Sequence, residues 1–412
     1  MITKLYLENF RGIRKSEVEL GKITVLTGPN NSGKSSVIYG LLALKNVVLN
    51  SNQGLDSFLN LGFLNLGGFD QTVYLKKDTS VISLGIEVLR EEAYSRYSAS
   101  LGKKKSQLSI EIFSPLRLHL DLEVTFPYPA NKNASTKVKA PFGKAEVTWN
   151  GISPTINILQ ENEGNGVVEK DELSSKADVK DPIAGLSTSL NAPIEELRAV
   201  DFIPLRRGFT KPNYSSVPMQ QQLLTDEELA TLLANNRDLE GKVANYLEQI
   251  VDKVFTVRSA IGTANFNLQV RDRSTGLVCD LVNEGFGTNQ LITILTKSLR
   301  KEMHTICIEE AEIHLHPELM DKLVDVFVGI TKDEDKNFII STHSEHIVLS
   351  LLNKVAQRKL KPEDIRIYYL TKKDNKTVVE KQEVNEKGQV KGGLKGFYEA
   401  ELEHVKDFFS IS

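Results

Sequence analysis

Residues 23–36, ITVLTGPNNSGKSS, constrain this chain more than any other segment. An apolar strand-like run, Ile23 to Leu26, enters Gly28-x-x-x-x-Gly33-Lys34-Ser35, and an apolar helical pattern follows from Val37 to Leu49. Strand, glycine-rich turn and helix in that order make a phosphate-binding loop. Its glycines let successive backbone N–H groups curl around an anion at the positive end of the next helix. Lys34 then reaches the β- and γ-phosphates, and the Ser35 hydroxyl is placed to ligate Mg²⁺. The pattern implies an α/β fold that binds a nucleoside triphosphate.

Two further strand endings carry matching chemistry. Thr305 to Ile308 reads as a buried strand ending in Glu309-Glu310 and followed by Ala311-Glu312-Ile313-His314-Leu315-His316-Pro317. An acid at such a strand end suits Mg²⁺, and a second carboxylate suits the attacking water, which needs a proton acceptor. Glu309 takes the first role and Glu310 the second. A third strand, Asn337 to Ile340, leads into Ser341-Thr342-His343-Ser344, with a helical segment (Glu318 to Gly329) before it. A histidine just past a parallel strand lies at the carboxyl edge of the sheet, where it can contact the γ-phosphate. His314, His316, His343 and His346 do not make a zinc site, because no cysteine or further ligand completes a tetrahedron.

Between these blocks lies Leu281 to Gln290, LVNEGFGTNQ, before an apolar helix (Leu291 to Leu299). Two glycines ahead of a helix form a second backbone-rich anion site. With a P-loop already present, its natural use is the γ-phosphate of a nucleotide held by a second copy.

In this order the blocks resemble the ABC-type ATPases of the SMC and overcoming-lysogenization-defect (OLD) branch, often labelled AAA-family ATPases. The opening LYLENFRG at 5–12 is similar to that branch's N-terminal strand. NLGGFDQTVY at 65–74, FIPLRRG at 202–208, PEDIRIYYLTKK at 362–373 and GFYEAEL at 396–402 resemble small OLD-like ATPases that stand beside an effector such as a nuclease, as in Septu-type antiphage systems. The resemblance covers about 1–75 and 275–410 and is weak between. It implies an ABC-type head with a mixed sheet and a helical lobe, using ATP and Mg²⁺. Phosphate would be bound by Gly28, Asn30, Asn31, Ser32, Gly33, Lys34, Ser35 and Ser36, and metal by Ser35 and Glu309. Glu310 would activate water and His343 would act as the switch. Gln71 stands where a glutamine sensing Mg²⁺ and water is expected, with Asp70 competing, and Gly287 matches the trans-acting signature glycine. The usual signature serine is absent, with Gly285 nearest to its place, and the usual strand-terminal aspartate is Glu309.

The resemblance sets the expected limits. Residues 1–75 carry the P-loop half, and 76–275 form an insertion of strands and then helices. Residues 276–412 hold the remaining motifs, a hairpin over Asp374-Asn375 and a C-terminal amphipathic helix from Phe397 to Phe409. Within the insertion, Val81 to Leu89, Gln107 to Phe113 and Arg117 to Phe126 alternate as strands. Glu161 to Lys180 reads as a loop. Thr225 caps a helix whose apolar spacing continues toward Phe255. No heptad repeat is sustained long enough for a coiled-coil arm.

A chain of 412 residues with 40% hydrophobic and 25% charged content can bury a large core in two lobes. The net charge of −3 gives no global positive field for nucleic acid. DNA contact therefore stays open only through local patches such as Lys103-Lys104-Lys105 or Arg206-Arg207 with Lys211. Cys279 and Cys307 in apolar contexts fit a reducing cytoplasm, and the N-terminal pattern and apolar runs lead us to expect neither a leader peptide nor a membrane span. The residues after His343 lack the Asp-x-Asp pair that a fused OLD-type nuclease would need. The expected protein is an ATP-driven homodimeric switch whose output a separately encoded effector delivers. The insertion between the P-loop half and the glycine segment argues against a transporter subunit. A DNA-clamping ATPase of SMC-like type is the alternative.

Overall fold

The computed structural model describes residues 1–77, 79–90, 93–113, 117–140, 143–158, 182–220, 225–259 and 264–393. The 161–180 loop and the 397–409 helix of the sequence reading lie outside them. Two compact units form, Met1–Val18 with Tyr39–Arg198, and Glu19–Ile38 with Ala199 onward. Ala199 onward, which includes part of the expected 76–275 insertion, belongs to the second unit, and one strand there joins that unit's sheet. Val200–Ile203 pairs in parallel with Thr305–Glu309, register Val200 to Thr305.

The second unit is built on a six-stranded sheet. Its order is Val200–Ile203, Thr305–Glu309, Asn337–Ser341, Ile23–Thr27, Ile365–Lys373 and Lys376–Gln382. The first five strands run parallel and the last antiparallel. Ile23–Thr27, Thr305–Glu309 and Val200–Ile203 are buried at every residue, as a sheet covered on both faces demands. The last two strands form the expected hairpin. Asp374 and Asn375 both take positive φ (48° and 61°), which suits the twist of a two-residue turn.

Helices Phe286–Ser298, Pro317–Asp333 and Glu345–Ala356 belong to this unit, with Leu291, Leu295, Leu323, Phe327 and Leu351 in its core. Thr225 does cap a helix, Asp226–Asn235, through a reciprocal capping box with Glu228. The helical pattern does not reach Phe255. Asn236 ends the first helix and caps a second, Arg237–Ile250, and Phe255 lies on the strand Lys253–Ser259.

The first unit holds a sheet ordered Ile13–Glu19, Ile2–Phe10, Ile82–Arg90, Ala93–Leu101, Ser106–Ile112 and Leu118–Val124. A three-stranded sheet (Ala134–Ala140, Gly143–Trp149, Pro154–Ile158) and the helix Pro182–Arg198 complete it. Every inward position of Leu118–Val124 is buried and every outward one exposed, the alternation expected of a half-covered antiparallel strand.

Candidate functional site

The parallel register brings three motifs to one edge. Glu309 pairs with Ser341, Ser341 with Leu26, and the Thr342 N–H donates to the Leu26 carbonyl at 3.0 Å. The P-loop, the acidic strand end and the Ser341–His343 segment therefore leave the sheet side by side at its carboxyl end, where open parallel sheets bind ligands.

The P-loop's glycines are needed where they stand. Gly28 has φ 136°, and a Cβ there would lie 2.1 Å from the Leu370 carbonyl oxygen. Gly33 has φ 104° with the Thr377 hydroxyl at 2.5 Å from the same imagined atom. The hairpin thus closes over the loop so tightly that only glycine fits. Helix Lys34–Leu49 begins at Lys34, where Ser35 is half-buried and Ser36 buried; Asn30 and Asn31 are more open, Asn31 at φ 61°. Ser32 is buried and its Oγ has no partner among the described residues, an open hydrogen-bonding group inside the loop.

Lys34 is only 7% exposed, and its Nζ donates to the Gly28 and Pro29 carbonyls at 2.8 and 3.0 Å. Burial lowers its pKa to about 8, although Glu310 and Glu312 pull the other way. His343 Nε2 stands 3.6 Å from Glu310 Oε1. Burial and the Lys34 charge hold its pKa below the usual value against the same two carboxylates, so at neutral pH the imidazole is uncharged.

Glu310 has a left-handed backbone, φ 44°, and its N–H donates to the Ser341 carbonyl at 2.8 Å. Such a conformation costs a non-glycine residue about 1–2 kcal/mol. Arg207 stabilises it. Nη1 donates to the Glu309 carbonyl at 2.6 Å and Nη2 to the Glu310 carbonyl at 2.7 Å. These carbonyls flank the Glu310 Cα, so one guanidinium fixes both its torsions. The Pro204 carbonyl takes a further bond at 3.1 Å, and burial pulls the Arg207 pKa down to about 10. The sequence reading offered Arg207 to DNA, but the fold turns it inward. Lys211 in the same patch is exposed but paired with Glu227, and Arg206 is exposed as well. Lys105 is paired with Glu123, and Lys103 with Asp70 at 2.6 Å.

Gln71 lies in the other unit, on the short helix Phe69–Thr72, with an exposed side chain. Gly287 stands in the first turn of Phe286–Ser298, where a Cβ would meet the His314 carbonyl oxygen at 3.0 Å. Phe286, 74% exposed, packs against His314 with the rings tilted by 35° and their centroids 5.6 Å apart. The glycine segment is thereby fastened to the turn after the acidic strand of the same chain. Gly285 precedes the helix with no capping side chain. No group of three or more metal-ligating side chains occurs among the described residues.

A P-loop at the carboxyl edge beside a paired-acid strand end decides the family. A model described as AAA ATPase domain matches residues 1–348. The chain belongs to that family. No protein of curated function matches it. Among solved structures, an SMC head bound to the C-winged helix domain of ScpA is 11% identical. That match covers 93% of this chain and 98% of the other, at a TM-score of 0.50. It shows a shared mixed α/β head fold. An SMC head domain from Thermotoga maritima matches with 10% identity, 93% and 99% coverage and a TM-score of 0.46. An SMC head with an extended coiled coil, bound to the C-terminal domain of ScpA derived from Pyrococcus furiosus, matches with 9% identity, 99% coverage of both chains and a TM-score of 0.47. In this AAA ATPase no helix among the described residues is long and apolar enough to cross a membrane.

Proposed function

We propose that this AAA ATPase binds ATP at its P-loop and hydrolyses it as a homodimeric switch that gates a separately encoded effector. One observation carries the reading: Lys34, Glu310 and His343 meet at one sheet edge, with Glu310 held in a strained conformation aimed by Arg207. Strain maintained by dedicated bonds is characteristic of working sites.

Gly28, Asn30, Asn31, Ser32, Gly33, Ser35 and Ser36 supply the anion cradle, and the Ser32 Oγ, without a partner among the described residues, gives it an open hydrogen-bonding group. Lys34 exchanges its two loop carbonyls for phosphate oxygens. The Ser35 hydroxyl and Glu309 carboxylate are hard oxygen donors that fit Mg²⁺. Bound there, Mg²⁺ neutralises charge on the phosphate oxygens. Glu310 accepts the proton of the attacking water, and neutral His343 hydrogen-bonds the γ-phosphate. Gln71 is proposed to sense the metal and water. Gly287 and its helix start would contact the nucleotide of the second copy, so that ATP joins the dimer and hydrolysis releases it. A nuclease as effector, a role in antiviral defence or DNA maintenance, and an OLD-like kinship rest on the resemblance alone. Cys279 and Cys307 form no disulfide, which agrees with the reducing cytoplasm proposed here.

Glu310→Gln keeps shape and loses basicity. Phosphate release should fall by on the order of 10²–10⁴-fold while ATP stays bound and the dimer accumulates. Turnover at the wild-type rate would remove Glu310 from its role.

A further inference from the structure

Glu312 is the carboxylate to which the sequence reading gave no role. It stands in the turn that follows Glu310, closed by the Ile313 N–H on the Glu310 carbonyl at 3.2 Å and the Leu315 N–H on the Glu312 carbonyl at 3.0 Å. Its Oε1 accepts from Thr342 Oγ1 at 2.6 Å, the His343 N–H at 2.8 Å and the Ser344 N–H at 3.1 Å. Those three bonds fix the loop that carries His343 and saturate that oxygen. Oε2 is closed to solvent and has no partner among the described residues.

A buried carboxylate oxygen left without a donor is costly, so its retention calls for a reason. The surroundings supply one. Glu312 raises the proton affinity of Lys34, Arg207 and His343, and Glu310 raises that of the same three groups. The two carboxylates therefore share one set of neighbours at the end of the P-loop. One of them holds an oxygen ready for a donor that none of the described residues provides.

Building on the ATP-hydrolysis reading above, we infer that Glu312 orients the attacking water, its Oε2 accepting one O–H while Glu310 takes the proton of the other. The water oxygen forms the new bond to the γ-phosphorus. The bond from that phosphorus to the bridging oxygen breaks, and its electron pair leaves on ADP. The proton passes to Glu310, and Glu312 keeps its charge throughout. The three donors on Oε1 keep the carboxylate from rotating, so nucleotide binding has only to open Oε2, closed to solvent in the nucleotide-free protein, to the water. The loop bearing His343 and the water then share one anchor, which couples the switch histidine to hydrolysis.

The test compares Glu312→Gln, Glu312→Ala and Glu310→Gln in the full chain, reading ATP turnover, ATP affinity and amide hydrogen exchange over residues 342–347. Glutamine keeps a carbonyl oxygen for the three loop donors and puts an NH₂ where Oε2 stands. Glu312→Gln should lower kcat by about 100-fold, with the ATP Kd within about threefold and loop exchange unchanged. Glu312→Ala should lower kcat and also speed exchange at 342–347. Wild-type kcat in Glu312→Gln would overturn the inference and leave Glu312 only its loop bonds. A kcat loss in Glu312→Gln accompanied by faster loop exchange would overturn it too, because the loss would then be structural. The parent reading is tested separately by the wild type and Glu310→Gln. If the wild type binds ATP without hydrolysing it, both readings fall. If the wild type turns over, Glu310→Gln stops and Glu312→Gln matches the wild type, only the role of Glu312 falls.

Discussion

At the scale of single residues, Lys34 carries the clearest pH signature. Its pKa in the nucleotide-free protein is lowered to about 8, and a phosphate beside it favours the charged form. Affinity for ATP should therefore be complete below pH 8 and be lost as the pH rises through that value. The loss should reach up to about tenfold per pH unit until the bound-state pKa is passed. Binding at pH 8.5 should take up a proton. Calorimetry in buffers of different ionisation enthalpy measures that uptake directly, and none would mean that Lys34 is already charged. Arg207 has a different signature, since it touches backbone and not nucleotide. Arg207→Met should release the two carbonyls beside Glu310 and lower kcat by on the order of 100-fold, with ATP affinity little changed. A matching loss of affinity would show that the whole loop had collapsed.

Single elements show why sequence reading succeeded where it did. Ile23–Thr27, Thr305–Glu309 and Asn337–Ser341 are short apolar runs ending in chemistry, and motif and strand coincide. Strand Ala93–Leu101 was missed because three of the five residues on its buried face, Ala93, Ser95 and Ala99, are small, leaving only Tyr97 and Leu101 to mark the alternation. Arg207 and Glu312 escaped for another reason. Apart from the Thr342 hydroxyl on Glu312, their partners are backbone groups, most of them distant in sequence, and a carbonyl or an amide leaves no mark in sequence. The strand Val200–Ile203 carries a buried device of the same kind. Asp201 accepts from Lys297 and Arg300, both at 3.1 Å, and the three side chains are 3–5% exposed. Lys297 also donates to the Phe202 carbonyl at 2.6 Å, fastening the strand to the helix that begins at Phe286. Asp201→Ala would leave two buried cations facing a vacated site. It should cost about 3–5 kcal/mol in urea unfolding, and a loss below about 1 kcal/mol would mean that water reaches the pair.

At the scale of the whole molecule, the question is whether each site is completed by a second copy. The glycine segment can be tested without disturbing its own chain only if the substitution is chosen from the packing. A side chain at Gly287 would press on the His314 carbonyl at 3.0 Å, in the turn that follows Glu310, and so would confuse cis with trans effects. At Gly285 nothing lies within 4 Å of an added Cβ, and the backbone there is extended (φ −58°, ψ 145°). Glu at this position suits the start of a helix, where acids are favoured, yet sets a negative charge where an incoming γ-phosphate would sit. Gly285→Glu alone should keep its fold and its ATP affinity as a monomer while losing turnover. Lys34→Ala alone should lose ATP binding. Mixed, the two chains form some heterodimers in which one composite site has both an intact P-loop and an intact glycine segment, so turnover should partly return. The recovered rate should rise and then fall as the mixing ratio is varied. If heterodimers form and no activity returns at any ratio, the site is complete within one chain and the dimeric switch must be abandoned.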